Sequence, residues 1–127
     1  MLQSRPIPFF SPDGQWLGFF ANQKLKKVSV NGEAVVTLGD AGKPHGATWN
    51  SQGMIAFSAA QIAPLQQVPE AGGKALAVTH FDRGEVSHRG PEFLPGGKAL
   101  LFAATRGSYN WTNAQVSVQF PLRAGSR

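Results

Sequence analysis

From end to end, short apolar runs alternate with tight polar breaks. Phe9-Phe10 gives way to Ser11-Pro12-Asp13-Gly14, and Trp16-Leu17-Gly18-Phe19-Phe20 follows. The same succession returns as Trp49, Asn50-Ser51-Gln52-Gly53 and Met54-Ile55-Ala56-Phe57. It returns again as Phe93, Leu94-Pro95-Gly96-Gly97 and Ala99-Leu100-Leu101-Phe102. Short apolar runs bounded by Gly- and Pro-bearing turns predict strands, and no stretch offers a helical stripe. The first turn has a mechanism: Pro12 presets φ, and Gly14 takes the positive φ that a side chain resists.

These segments are copies of one unit. The turn glycines Gly14, Gly53 and Gly97 stand 39 and 44 residues apart, and the aromatics Phe10, Trp49 and Phe93 keep the same spacings. A second element repeats at an offset of 40: Leu25-Lys26-Lys27-Val28 before Gly32, and Leu65-Gln66-Gln67-Val68 before Gly72. Val35-Val36-Thr37-Leu38 and Ala75-Leu76-Ala77-Val78-Thr79 then close their units. Each unit reads strand, tight turn, strand, longer loop, strand, Gly turn, strand.

A period of roughly 40–45 residues with four strands per unit is the pattern of a β-propeller blade. The fold class expected is therefore all-β, a partial propeller of about three four-stranded antiparallel blades over residues 6–40, 45–80 and 90–127, the last one incomplete. Phe10, Leu17, Phe19, Trp49, Ile55, Phe57, Phe93, Leu101 and Phe102 are the expected packing between blades. Propellers close with about 4–8 blades. The chain is thus expected to be a fragment, a truncated reading frame, or one protomer of an assembly that closes the ring.

Composition narrows the chemistry. The 127 residues suit one domain and contain no cysteine, which excludes a disulfide scaffold, a thiolate zinc site and a cysteine nucleophile. No apolar run approaches the roughly 20 residues that span a bilayer, so no direct membrane insertion is expected. Twelve Lys and Arg against seven Asp and Glu leave a net charge of +5, but the charges are scattered. Their densest cluster, Lys24, Lys26 and Lys27, reads as a lysine-protected edge strand rather than a nucleic-acid surface.

Phe10-Ser11-Pro12-Asp13-Gly14-Gln15-Trp16-Leu17 resembles the TolB-like (WD40-like) propeller repeat, whose units open with a similar Phe-Ser-Pro-Asp-Gly. Asn50-Ser51-Gln52 and Leu94-Pro95-Gly96 depart from that phrase while keeping its spacing. Gly14-Gln15-Trp16-Leu17-Gly18-Phe19-Phe20, Lys24-Leu25-Lys26-Lys27-Val28-Ser29-Val30, Gly84-Glu85-Val86-Ser87-His88-Arg89 and Phe93-Leu94-Pro95-Gly96-Gly97-Lys98 are similar to the propeller attached to certain bacterial serine/threonine protein kinases. That resemblance implies an extracytoplasmic sensor or binding part. The kinase motifs themselves (Gly-x-Gly-x-x-Gly, His-Arg-Asp, Asp-Phe-Gly) do not occur, so no catalytic activity carries over. Similar propellers also gate prolyl oligopeptidase-type serine peptidases or act as periplasmic TolB-like scaffolds.

Candidate chemistry is sparse. His45, His80 and His88 have no metal-ligand spacing, no Gly-x-Ser-x-Gly elbow occurs, and Gly39-Asp40-Ala41-Gly42-Lys43-Pro44 lacks the frame of a phosphate loop. No metal, no cofactor and no resident active site are expected. His45 and His88 fall just before the first strand of a unit, and His88 with Glu85 and Arg89 is a candidate pocket lining, against the plainer reading of a loop histidine bonding local backbone. Tyr109 and Trp111 sit in a long polar connection, as a surface anchor or as packing on the neighbouring blade. The expected function is recognition of a protein or peptide partner, of a small ligand, or of the remaining blades.

Overall fold

The computed structural model describes residues 8–32, 34–42, 46–60, 62–107 and 114–120. Among them every regular element is a strand: β1 (Phe9–Phe10), β2 (Trp16–Ala21), β3 (Lys24–Ser29), β4 (Val36–Asp40), β5 (Ala47–Trp49), β6 (Met54–Phe57), β7 (Gln66–Pro69), β8 (Leu76–Ala77), β9 (Glu85–Phe93), β10 (Leu100–Arg106) and β11 (Gln115–Gln119). They form three antiparallel sheets, β1-β2-β3-β4, β5-β6-β7-β8 and β9-β10-β11. Each sheet is a meander in chain order. The first strands lie side by side, β1 against β5 and β5 against β9, so the sheets follow one another as a stack.

The turns explain why the strands begin where they do. Gly14 takes φ +72° and its amide donates to the Ser11 carbonyl. The Ser11 hydroxyl donates to Asp13 and accepts the Trp16 amide, closing the first hairpin with side-chain oxygen. Asn50 does the same work in the second unit, where its Oδ1 accepts the amides of Gln52 and Met54. Two expectations change here. The β2–β3 connection, expected as a longer loop, is a two-residue turn in which Asn22 and Gln23 both hold positive φ, 54° and 63°. That is the mirror-image turn whose twist matches a hairpin. The lysine-bearing β3 is an interior strand rather than an edge: Lys24 pairs with Asp40, while Lys27 lies over the Trp16 ring and donates to the Glu70 carbonyl.

Two apolar layers hold the sheets together. The first, between sheets one and two, contains Leu25, Leu38, Trp49, Ile55, Phe57 and Val68, with Phe9, Trp16 and Phe20 packed against it. The second, between sheets two and three, contains Ala56, Leu65, Val78, Leu100, Phe102 and Ala104, flanked by Phe93. Alternation along β6 sends Ile55 and Phe57 into one layer and Ala56 into the other, and all three are fully buried. A middle sheet covered on both faces explains an apolar run with no polar face.

The turn of the second unit holds one residue fewer than those of the other two. Trp49 pairs with Ile55 across it, whereas Phe10 pairs with Leu17 and Phe93 with Leu100. Leu17, Gly18 and Phe19 therefore correspond to Ile55, Ala56 and Phe57, and to Leu100, Leu101 and Phe102. This corrects two expectations about the packing. Leu100, not Leu101, is the buried member of its pair, and Phe10, Leu17 and Phe19 lie on the outer face of the first sheet, with Phe10 62% exposed. Gly18 pairs with Phe9, whose ring occupies the space a Cβ would take.

Phe57→Ala should empty a site in the first layer and lower unfolding free energy by about 3–5 kcal/mol in urea denaturation. Thr37→Ala, at an exposed strand position, should stay within about 0.5 kcal/mol of the parent.

Candidate functional site

Strand β9 carries three of the residues singled out from sequence. It runs as one strand from Glu85 to Phe93 because a bulge absorbs Gly90-Pro91: Glu92 pairs with Leu101 and Arg89 with Ala103, so two residues oppose Phe102. Gly90 takes φ +66°, and Pro91, which has no amide to donate, is tolerated at such a bulge. His88 therefore sits inside a strand, not in the loop before one.

Its imidazole is fully buried, between the rings of Phe81 and Phe102 at centroid distances of 5.0 and 4.4 Å. Nδ1 lies 2.9 Å from the Thr79 hydroxyl and Nε2 lies 2.7 Å from Glu85 Oε1. The Thr79 oxygen already accepts the Leu65 amide at 2.8 Å, so its O–H donates to Nδ1 and the imidazole donates from Nε2 to the carboxylate. This assignment is a neutral ring. Burial lowers the His88 pKa below its ordinary value, and the attraction of Glu85 only partly opposes it. Burial alone raises the Glu85 carboxyl, but the hydrogen bonds from His88 and the Asp82 amide, with the Arg106 guanidinium 3.7 Å away, bring it below the usual range.

Hydroxyl, imidazole and carboxylate in series have the connectivity of a nucleophilic relay. The geometry denies that use. Thr79 is fully buried and its hydroxyl is committed at both ends, leaving no space for a substrate carbonyl at the oxygen. What the series does is join the end of sheet two to the first strand of sheet three. The Ser58 hydroxyl and the His88 amide, which donates to the Ala63 carbonyl, add bonds across the same junction.

Glu85 and His88 are thus brought together, while Arg89 lies beside Ala103 on the opposite face of β9, where partial burial lowers its pKa from the ordinary guanidinium value. His45, Tyr109 and Trp111 lie outside the described residues. Thr79 was not expected as a partner; a β-branched hydroxyl residue at the end of an apolar run carries no signal that distinguishes it from a solvated strand end.

Concave regions also occur among the described residues. One, of about 340 Å³, is lined by His80, Phe81, Asp82, Glu85, Phe102 and β11 residues. Another, of about 220 Å³, lies between the first hairpin turns of sheets one and two and is lined by Ser11, Pro12, Asp13, Trp16, Asn50, Ser51 and Glu70. Hydrogen bonds from the Ser11 hydroxyl and then the Gln15 amide hold the Asp13 carboxyl below its usual range. Glu70 is oriented by the Trp49 indole, which donates to Oε1 at 3.0 Å. In a chain of net charge +5 the described lining of this cleft carries two carboxylates, with the Lys27 ammonium set against its Trp16 and Glu70 wall. No group of His, Asp and Glu that could hold a metal occurs among the described residues. No protein-family model matches the chain, and a search of curated proteins finds no match either.

The buried histidine has a pH consequence. Because its pKa is lower in the fold than in the unfolded chain, the unfolded chain takes up the proton first as pH falls. Its contribution is complete above the ordinary value of 6.5 and is lost as pH drops through the depressed folded value. Glu85 adds a loss of the same sign below 4.5. His88→Gln should lower stability by about 1–3 kcal/mol at pH 7.5 and flatten the decline that the parent shows just below pH 6.5, measured as Tm against pH.

Proposed function

We propose that the chain is a non-catalytic recognition module, part of a TolB-like β-propeller whose sheets act as blades and whose turns and loops display the binding surface. The observation that carries this reading is the stacking of three successive meanders with their first strands adjacent and the middle sheet covered on both faces. A propeller builds its core in this manner. The placement of His88 supports the non-catalytic half of the reading: the most chemically suggestive side chains are spent in a junction between sheets.

The residues resembling kinase-linked propellers extend the proposal to a parent protein. There the module would be the sensor end of a serine/threonine protein kinase-like protein, on the extracytoplasmic side of a bacterial membrane. Fold analogy carries that extension, and the same architecture serves many functions.

The cleft between the first turns of sheets one and two is the proposed contact point for a protein or peptide partner. Its size and paired carboxylates suit one cationic side chain, with Asn50, Ser51 and Ser11 supplying polar contacts. Peptides selected from a random library on the immobilised chain should be enriched in Lys or Arg. Titration calorimetry should show at least tenfold weaker binding to Ser51→Trp, which fills the cleft from an exposed position. Equal binding to parent and variant, or turnover of a peptide or ester substrate by the chain, would contradict the proposal.

A further inference from the structure

The two junctions between sheets are built from the same ladder positions, and one of those positions differs in kind. In sheet two, Val68 pairs with Ile55 and lies 1% exposed in the layer against sheet one. The counterpart of Ile55 in sheet three is Leu100, and its partner on β11 is Gln119. An amide therefore stands where the first junction has a packed valine. Directly opposed residues share a face of a sheet. Gln119, and Ser117 opposite Phe102, thus look toward sheet two beside the second apolar layer. Both are only partly buried, and among the described residues no β11 side chain joins that layer.

Where the first junction is closed, the second holds the cavity of about 340 Å³. The wall opposite β11 comes from the segment leading into β9, where Phe81 is 38% exposed and the Glu85 side chain is 6% exposed. Small-ligand sites span about 300–1,000 Å³, so this one suits a single ring. The walls select the kind of ring. Asp82 and Glu85 repel an anion. They also share the Arg106 guanidinium, at 3.5 and 3.7 Å, so a second cation would have to displace one already in place. Ser117 and Gln119 are neutral groups that donate and accept alike. A neutral molecule whose own polar groups also do both answers this set, and hydroxyl groups have that property. Phe81 adds an apolar surface, because the electron-rich face of an aromatic ring attracts C–H bonds.

We infer that this cavity binds a single hexopyranose ring, with its C–H face against Phe81 and its hydroxyl groups on Ser117, Gln119 and Asp82. The site is distinct from the cleft between the first hairpin turns, and it does not depend on how many sheets the stack contains.

Amide chemical shifts, recorded while glucose, galactose, mannose or N-acetylglucosamine is added to the full chain, test this. At least one sugar should move Phe81, Asp82, Ser117 and Gln119 along a saturating curve and leave Asn50 and Ser51 in place. Gln119→Val, which installs the residue of the first junction, should weaken that sugar by about tenfold, and Ser117→Ala by about threefold. If Gln119→Val does not keep the parent spectrum, Ser117→Ala decides. No saturating shift with any of the four sugars overturns the inference, as does unchanged or tighter binding in a folded β11 variant. Shifts at Asn50 and Ser51 instead would put the ring in the other cleft and overturn it. So would movement of the Phe81 and Gln119 amides by spermidine with none by the sugars.

Discussion

A small antiparallel sheet with apolar side chains on both faces cannot bury both by itself, and the remaining features of this chain follow from that constraint. Sheet two shows the solution. Its central strand, β6, divides Ile55 and Phe57 from Ala56 between two layers, and both layers are closed by a neighbouring sheet. Each large side chain taken fully from water contributes about 1.5–3 kcal/mol. Against a typical net stability of about 5–15 kcal/mol, a handful of such residues decides whether the arrangement holds. Size complementarity then sets how closely the sheets approach. Gly18 keeps β2 thin on the side that faces sheet two and Ala56 keeps β6 thin on the side that faces sheet three, while bulky Phe9, Trp49 and Phe57 fill the space between sheets one and two.

Apolar burial has no direction, so it does not by itself fix which sheet lies where. Directional bonds across each junction do. Between the first two sheets, Lys27 donates to the Glu70 carbonyl and the Gly73 amide donates to the Leu38 carbonyl. Between the second and third, the Asn50 and Gln52 side chains reach the carbonyls of Gly97 and Gly96, and the Thr79–His88–Glu85 series closes the far end. Buried polar groups satisfied in this way favour one register over its neighbours. The same arrangement commits the His88 imidazole to the junction between sheets two and three.

Much of this was legible as spacing. The recurrence of Gly14, Gly53 and Gly97 with an aromatic four residues earlier is a direct consequence of one hairpin built three times, and the all-β class follows from it. Phase was not legible. The Asn50–Met54 turn is one residue shorter than the Ser11–Trp16 and Leu94–Ala99 turns, so an alignment on glycine pairs Ile55 with Trp16 and Phe57 with Leu101, and puts the wrong leucine in the core. Positive φ at Gln23 gave no compositional signal, which hid the tight β2–β3 turn. Gly90-Pro91 looked like a strand boundary because proline removes a ladder donor, yet a bulge carries β9 past it and draws His88 inside. The lysines of β3 looked like edge protection, because nothing in composition reveals that the Lys27 ammonium lies over Trp16 and the Lys24 ammonium reaches Asp40. As for the candidate site, Glu85 and His88 were found as a pair, but their role depends on Thr79, nine residues upstream of His88 and joined to it only by the stacking of two sheets.

Native-state amide exchange followed residue by residue is the most direct test of a middle sheet enclosed on both sides. Ile55, Ala56 and Phe57 should exchange only through global unfolding, with opening free energies equal to the stability measured by denaturant, and β1 and β11 should open at lower cost. If the β6 amides exchanged as readily as those of the outer strands, the sheets would not be stacked as described, and the account of this fold would fail.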